Sequence, residues 1–277
     1  MARWRDFLEA DAAHELRAPG PADDKYSRGV LGMLTGSAEY PGAAVLGVEG
    51  AARAGAGMVR YLGDPEAARL VLHRRPEIVT APGRVQAWLI GSGMDASRRT
   101  RETRQRILAA LAQELPVVLD AGALDVAGDA AGPTVLTPHA GELATLLTDR
   151  GEAVERADVT RDPAEWAGRA AELLGVTVLL KGSVTHVVDP DGNGVRLEAG
   201  TPWLATAGSG DVLGGILGAM LAARSDDVVA EPGLLVPVAA AAALIHGRAG
   251  TLASGGGPIV ALDIAEAVPA TIARLLR

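Results

Sequence analysis

The chain has no cysteine among its 277 residues, which removes disulfides and thiolate metal sites from consideration. Aromatic side chains are nearly as scarce. Phe7 is the single phenylalanine, so small aliphatic side chains must fill the interior, and these suit close packing of helices on a sheet. An excess of basic charge is also lacking. The formal net charge is −8 and no basic tract runs against it, a balance that speaks against a nucleic-acid partner. Residues 1–20 have no apolar core of the signal-peptide kind, and no uncharged run is long enough to span a bilayer. The expectation is a cytoplasmic protein that engages neither membrane nor nucleic acid. No repeat of solenoid period is evident, and no linker splits a chain whose length allows one large α/β core.

What the chain has in plenty is Ala, Gly, Val and Leu, set out as short apolar runs between small-residue helical stretches. Residues 1–24 read as a short helix and a surface lead-in, ahead of one domain over 25–277. Strands are expected within 28–36, 58–62, 77–80, 85–90, 116–120, 134–137 and 176–180. The last returns through 185–189 to a turn at Asp191-Gly192, as a hairpin does. Helices are expected over 43–54, 64–73, 98–114, 140–148, 162–174, 211–223, 234–249 and 261–276, with a polar loop at 150–161. Such alternation is that of an α/β domain with a mostly parallel sheet. Glycines just past a strand, as in Gly91-Ser92-Gly93, then mark the ligand side.

Several polar residues stand at such strand ends. Asp120 reads either as a helix cap or as a site carboxylate. His139 and Glu142 are three apart and would face similar directions in a helical turn, though two side chains do not make a metal site. Lys181 closes the strongest apolar run and reads as a rim lysine or a phosphate contact.

The organising stretch is Ala207-Gly208-Ser209-Gly210-Asp211 and the apolar helix after it. Glycines allow a tight turn that brings backbone N–H groups near a ligand. The first N–H groups of a helix, at the positive end of its dipole, favour phosphate. Asp211 is out of place there, because a carboxylate beside a phosphate site repels the ligand unless it has a chemical task.

Five separated pieces stand in an order that resembles one family. They are Lys25-Tyr26-Ser27-Arg28-Gly29; Gly36-Ser37 with Pro41-Gly42-Ala43-Ala44; Thr137-Pro138-His139-Ala140-Gly141-Glu142; Leu180-Lys181-Gly182-Ser183; and the Gly208–Asp211 turn. From about Asp24 to the C-terminus the chain resembles the nucleotide-dependent NAD(P)H-hydrate dehydratases, a branch of the ribokinase-like fold. Some positions depart from that family's pattern. Asp24-Lys25-Tyr26 replaces His-Lys-Gly, Gly91-Ser92-Gly93 replaces Gly-Pro-Gly, His139-Ala140-Gly141-Glu142 replaces His-Pro-Gly-Glu, and Ser209 replaces a threonine.

The resemblance implies a ribokinase-like three-layer α/β/α fold with a mostly parallel central sheet and no separate lid domain. It implies dehydration of the S-form of hydrated NADH or NADPH, with ADP or ATP as phosphoryl donor and Mg²⁺ as cofactor; bacterial-type relatives convert ADP to AMP. By position, Asp211 would be the general base, and Gly208, Ser209 and Gly210 the anion hole. Ala43, Gly93, His139 and Asp211 would line the dinucleotide site. Lys181, Gly182, Ser183, Val184 and Thr185 would hold the adenine nucleotide, with Gly210 at its phosphates, and Glu142 would help place Mg²⁺ through water. A homotetramer or larger is also implied. So is a functional partner, an epimerase of the hydrated dinucleotide on a separate chain, since residues 1–24 leave no room for an epimerase domain. Two other readings share the motif. A small-molecule kinase of the same fold, for a thiazole or pyrimidine alcohol, would leave a stable phosphorylated product. A non-catalytic nucleotide-binding regulator would gain nothing from Asp211.

Overall fold

The computed structural model describes residues 2–198 and 200–277. Nine strands form one sheet: β1 (Arg3–Asp6), β2 (Val30–Leu34), β3 (Met58–Tyr61), β4 (Ala87–Ile90), β5 (Val117–Leu119), β6 (Thr134–Leu136), β7 (Thr177–Leu180), β8 (Val184–Val188) and β9 (Asn193–Glu198). Their order across the sheet is β1-β9-β8-β7-β6-β5-β4-β2-β3. Only β7–β8 and β8–β9 pair antiparallel; every other pairing is parallel. The mostly parallel sheet expected from the sequence is therefore present, and so is the hairpin turning at Asp191-Gly192.

Parallel strands need crossovers, and helices supply them on both faces. On one face lie α1 (Glu9–Glu15), α2 (Pro41–Arg53), α3 (Pro65–Arg74), α8 (Ser209–Ala223), α10 (Leu235–Ser254) and α11 (Ala261–Leu275). On the other lie α4 (Arg101–Leu111), α5 (Ala140–Thr148), α6 (Arg156–Arg161) and α7 (Pro163–Leu174). The sheet divides its side chains by strict alternation. Leu31, Met33, Leu89, Val118, Val135 and Leu179 fill the first interface, while Val30, Leu34, Trp88, Ile90, Leu119 and Leu136 fill the second. Each apolar strand is buried on both faces, which is why it reads as a continuous hydrophobic run.

The small-residue composition shows its use where α2 crosses α8. A Cβ on Gly215 would come within 2.0 Å of the Gly47 carbonyl oxygen, and one on Gly50 within 2.4 Å of that of Val212. The two helices meet backbone to backbone. The stretch Pro232–Ser254 is long and apolar enough by composition to cross a bilayer, but 78% of its apolar window is buried inside the fold. It is a core helix here, packed by α1, α8 and α11.

The structure amends the sequence reading in four places. Residues 1–24 contain the expected short helix but also β1, which pairs parallel with β9 and extends the sheet. Its Arg-Trp-Arg-Asp sequence carries no apolar run, so nothing local announces a strand. The pairing is made by the partner strand, with Arg196 donating to Asp6 at 2.7 Å and Trp4 lying on Gly194. Residues 77–80 form a single bridge, Arg60 with Val79, rather than a strand; Pro76 and Pro82 limit the run on either side. The polar stretch 150–161 holds α6, whose Glu155 N–H donates to Asp158 at 3.0 Å and whose one buried residue is Val159. A further short helix, α9 (Ser225–Ala230), follows α8.

Candidate active site

Four consecutive strands deliver one polar side chain each, just past their carboxyl ends, to a cluster centred on the carboxylate of the second. Asp120 follows β5 and is 3% exposed. It accepts hydrogen bonds from Ser92 after β4 (2.9 Å), Thr137 after β6 (2.8 Å) and Lys181 after β7 (2.9 Å). Its side chain caps no helix, so the capping reading falls, and the carboxylate stands at the strand's ligand-facing end. Burial works against the Asp120 charge, but the Lys181 ammonium and the three hydrogen bonds together hold its carboxyl below the usual carboxylate range. Burial likewise works against the Lys181 charge, and the carboxylates of Asp120, Glu142 and Asp211 hold the ammonium above its ordinary value. Lys181 Nζ lies 3.8 Å from Glu142 Oε2.

The turn before α8 closes on this group. Gly208 sits at φ 86°, the left-handed region open to glycine, and directs the chain into the helix. A Cβ on Gly210 would lie 3.5 Å from Lys181 Nζ, so the lysine stands over the helix N-terminus. The Ser209 N–H donates to the Thr206 carbonyl at 3.3 Å. Among the described residues, no backbone carbonyl accepts from Gly210 or Asp211. These two donors, at the positive helix end beside Lys181, suit a phosphoryl group. Ser209, expected in the anion hole, sets its hydroxyl oxygen against His246, 3.1 Å from Nε2.

Asp211 follows in the first helical turn. Burial first, then the nearby Asp120 charge, push its carboxyl up to about 7, against the pull of Lys181. A carboxylate with that value is suited to taking a proton near neutrality.

The remaining sequence candidates gather around this centre. Gly93 is packed on Ala43: a Cβ there would meet the Ala43 Cβ at 2.4 Å, so the two share one wall beside α2. His139 stands exposed at the N-terminus of α5. Its Nδ1 accepts from the Glu142 N–H (3.1 Å), while Glu142 Oε2 accepts from the His139 N–H (2.7 Å). The three-residue spacing thus closes a reciprocal cap. His139 and Lys181 are also joined as a backbone bridge, with the Lys181 N–H on the Pro138 carbonyl at 2.8 Å. Gly182, Ser183 and Val184 form the exposed turn from β7 into β8, and Thr185 is buried within β8. Sequence reasoning missed Ser92 and Thr137 as polar partners, and it missed the buried side chain of His246. One signal was available: Lys181 is one of only two lysines, the other being Lys25, in a chain otherwise supplied with arginine.

The architecture is a ribokinase-like fold, an α/β/α sandwich with this polar cluster at the strand carboxyl ends beside a helix N-terminus. Residues 31–268 match the NAD(P)H-hydrate dehydratase family, and the chain belongs to that family. It is 44% identical over 229 residues to the bifunctional NAD(P)H-hydrate repair enzyme of Mycobacterium tuberculosis, covering 78% of this chain and 46% of that protein. It is 35% identical over 290 residues to the ADP-dependent (S)-NAD(P)H-hydrate dehydratase of Xanthomonas campestris, covering 96% of each. The chain spans about half the length of the bifunctional relatives it matches. Among solved structures it superposes on the ADP/ATP-dependent NAD(P)H-hydrate dehydratase of Bacillus subtilis, co-crystallised with ATP and Mg²⁺. The TM-score is 0.82 at 27% identity, with 98% of each chain covered.

Proposed function

We propose that this chain dehydrates the S-form of hydrated NADH or NADPH back to the reduced dinucleotide, consuming the terminal phosphoryl group of an adenine nucleotide. The observation that carries the reading is Asp211: a carboxyl raised to about 7, in the first turn of a helix whose free N–H groups and neighbouring Lys181 suit a phosphoryl group. A phosphate-binding site alone gains nothing from that carboxyl. Membership of the family and the likeness to the X. campestris and B. subtilis dehydratases support the same activity.

Hydroxide leaves poorly from the hydrated ring. Asp211 takes the proton of the substrate hydroxyl as its oxygen attacks the terminal phosphorus, and the bond to the nucleotide breaks. A base in this role contributes ~10²–10⁴-fold. The N–H groups of Gly210 and Asp211 and the Lys181 ammonium face the charge that redistributes over the phosphoryl oxygens. Phosphate then departs with the electron pair of the ring C–O bond, pushed by the ring nitrogen lone pair, and loss of a ring proton restores the dihydropyridine. The balance is hydrated dinucleotide plus ADP to dinucleotide, AMP and phosphate, or ADP and phosphate when ATP is the donor. Ala43, Gly93 and His139 border the dinucleotide, and Lys181 to Thr185 with Gly210 hold the nucleotide.

Among the described residues no cluster of three or more His, Asp or Glu could hold a metal by itself. Asp120, Glu142 and Asp211 against one lysine nevertheless leave the site negative where a polyanion must enter. Hard oxygen donors of that kind fit Mg²⁺ carried by the nucleotide phosphates, with Glu142 reaching it through water. The ion would neutralise phosphate charge. The same reading has the protein acting in the cytoplasm as a homotetramer, with an epimerase of the hydrated dinucleotide as its functional partner. Light scattering after size exclusion checks the assembly.

The test is absorbance in the reduced-nicotinamide band, with hydrated NADH, Mg²⁺ and either ADP or ATP. A nucleotide-dependent rise with AMP or ADP accumulating in step is expected, and the faster nucleotide identifies the donor. No rise with either overturns the reading, and a stable phosphorylated alcohol as product would replace it with a kinase.

A further inference from the structure

Among the buried residues of α10, His246 alone carries a polar side chain. It is 8% exposed, and its Nε2 lies 2.9 Å from the Ser209 carbonyl oxygen and 3.1 Å from the Ser209 hydroxyl. A carbonyl oxygen only accepts, so Nε2 carries the hydrogen and Nδ1 does not. The ring is neutral, since burial first and then the Lys181 charge hold it down to about 4, against the pull of the Ser209 carbonyl. With Nε2 already a donor, the Ser209 oxygen faces it as an acceptor and its own hydrogen must point elsewhere. Among the described residues no protein atom accepts that hydrogen. A buried hydroxyl donor without a partner is costly, and this one stands in the turn that meets the phosphoryl group.

The loop on either side is shaped to the same stretch of α10. A Cβ on Gly200 would meet the Gly247 carbonyl oxygen at 2.4 Å, and one on Gly250 would meet Leu204 Cδ2 at 2.4 Å. The chain from 200 to 209 therefore lies directly on residues 246–250.

We propose that His246 is a positioning residue for phosphoryl transfer: its Nε2–H holds both oxygens of Ser209, so that the Ser209 hydroxyl hydrogen is turned to the transferring group. The inference rests on the reading of this turn as a phosphoryl site. In this arrangement Ser209 is a side-chain donor of the anion hole, and His246 sets its direction without touching substrate.

The experiment compares H246L, H246Q and S209A with the parent by turnover and by calorimetric ADP affinity, with thermal melts as the check on folding. H246L is expected to lose about 100-fold in kcat, at the low end of the range for loss of one anion-hole donor, with ADP KM changed much less. H246Q, which keeps a side-chain N–H, should recover most of the loss. S209A should lose a similar factor, and the H246L/S209A pair should lose little more than either alone. Parental turnover in H246L, no recovery in H246Q, or losses that multiply would each overturn the proposal. If H246L does not fold, H246Q and the histidine ¹⁵N spectrum decide: protonated Nε2 with bare Nδ1 supports the assignment, and the opposite tautomer overturns it. That spectrum does not depend on turnover, so a parent inactive on hydrated NADH would sink the functional reading and leave the His246–Ser209 geometry separately tested by the spectrum.

Discussion

Fully buried Glu49 and half-buried Asp211 are carboxylates with opposite surroundings. Glu49 of α2 is fully buried and accepts from three arginines: Arg53 at 3.0 Å, Arg74 at 2.7 Å, and Arg75 at 2.8 and 2.7 Å. Burial alone would raise its carboxyl, but hydrogen bonds from Arg75, Arg74 and Arg53 outweigh that and bring it down to about 2. Asp211 has burial acting the same way, but a second carboxylate beside it and one lysine already engaged by Asp120, and it rises to about 7. Desolvation is common to both. What separates a structural tie from a reactive group is whether the surrounding cations are free to answer it.

The sharpest way to break the comparison is D211N. Turnover is expected to fall ~10²–10⁴-fold with ADP affinity retained, measured by the absorbance assay and calorimetry; retention of a tenth of the parental rate would remove Asp211 as the base. The stability effect has the opposite sign. A carboxyl raised from 3.8 to about 7 on folding contributes stability below pH 3.8 that is lost as pH rises through 7. D211N should therefore be more stable than the parent at pH 8, by about 2–4 kcal/mol, in urea unfolding.

E49A should do the reverse: stability falls by about 3–5 kcal/mol because three arginines lose their partner, and residual activity per folded molecule is unchanged. Here the folded value is depressed from 4.5 to about 2. The contribution of Glu49 is present above pH 4.5 and lost as pH falls towards 2. Unfolding followed over that window should flatten in E49Q. The smallest effect sharpens the comparison from the other side. D120N removes the charge that raises Asp211 and loosens Lys181 at once, and both lower the Asp211 value. The acid limb of kcat/KM, expected near pH 7 in the parent, should move to lower pH by about one unit or less. A limb that stays in place would show that burial alone sets it.

How much of this was readable from the chain depends on sequence distance. The turn at Gly208–Asp211, the apolar strands and the glycines after them are local patterns, and the fold class followed from their alternation. The partners of the site are not local. Asp120 and Lys181 are 61 residues apart, Ser209 and His246 are 37 apart, and no periodicity announces that they meet. β1 was hidden for the same reason: three charged residues and one tryptophan become a strand only because β9 offers an edge. Glu49 gives a mixed case. Arg53 lies one helical turn away on the same helix, whereas Arg74 and Arg75 come from the end of α3.

The contact between α2 and α8 has a mechanical side. With the Gly215 Cα against the Gly47 carbonyl and the Gly50 Cα against that of Val212, neither helix can slide or roll without backbone collision. Ala43 rides on one and Asp211 on the other. Ala43 and the Asp211 carboxylate thus belong to a single stiff body, with their separation fixed before any ligand arrives. Motion that admits substrate or releases product is left to the exposed turns at His139 and Gly182–Val184, and hydrogen exchange should find the α2–α8 seam among the last amides to open.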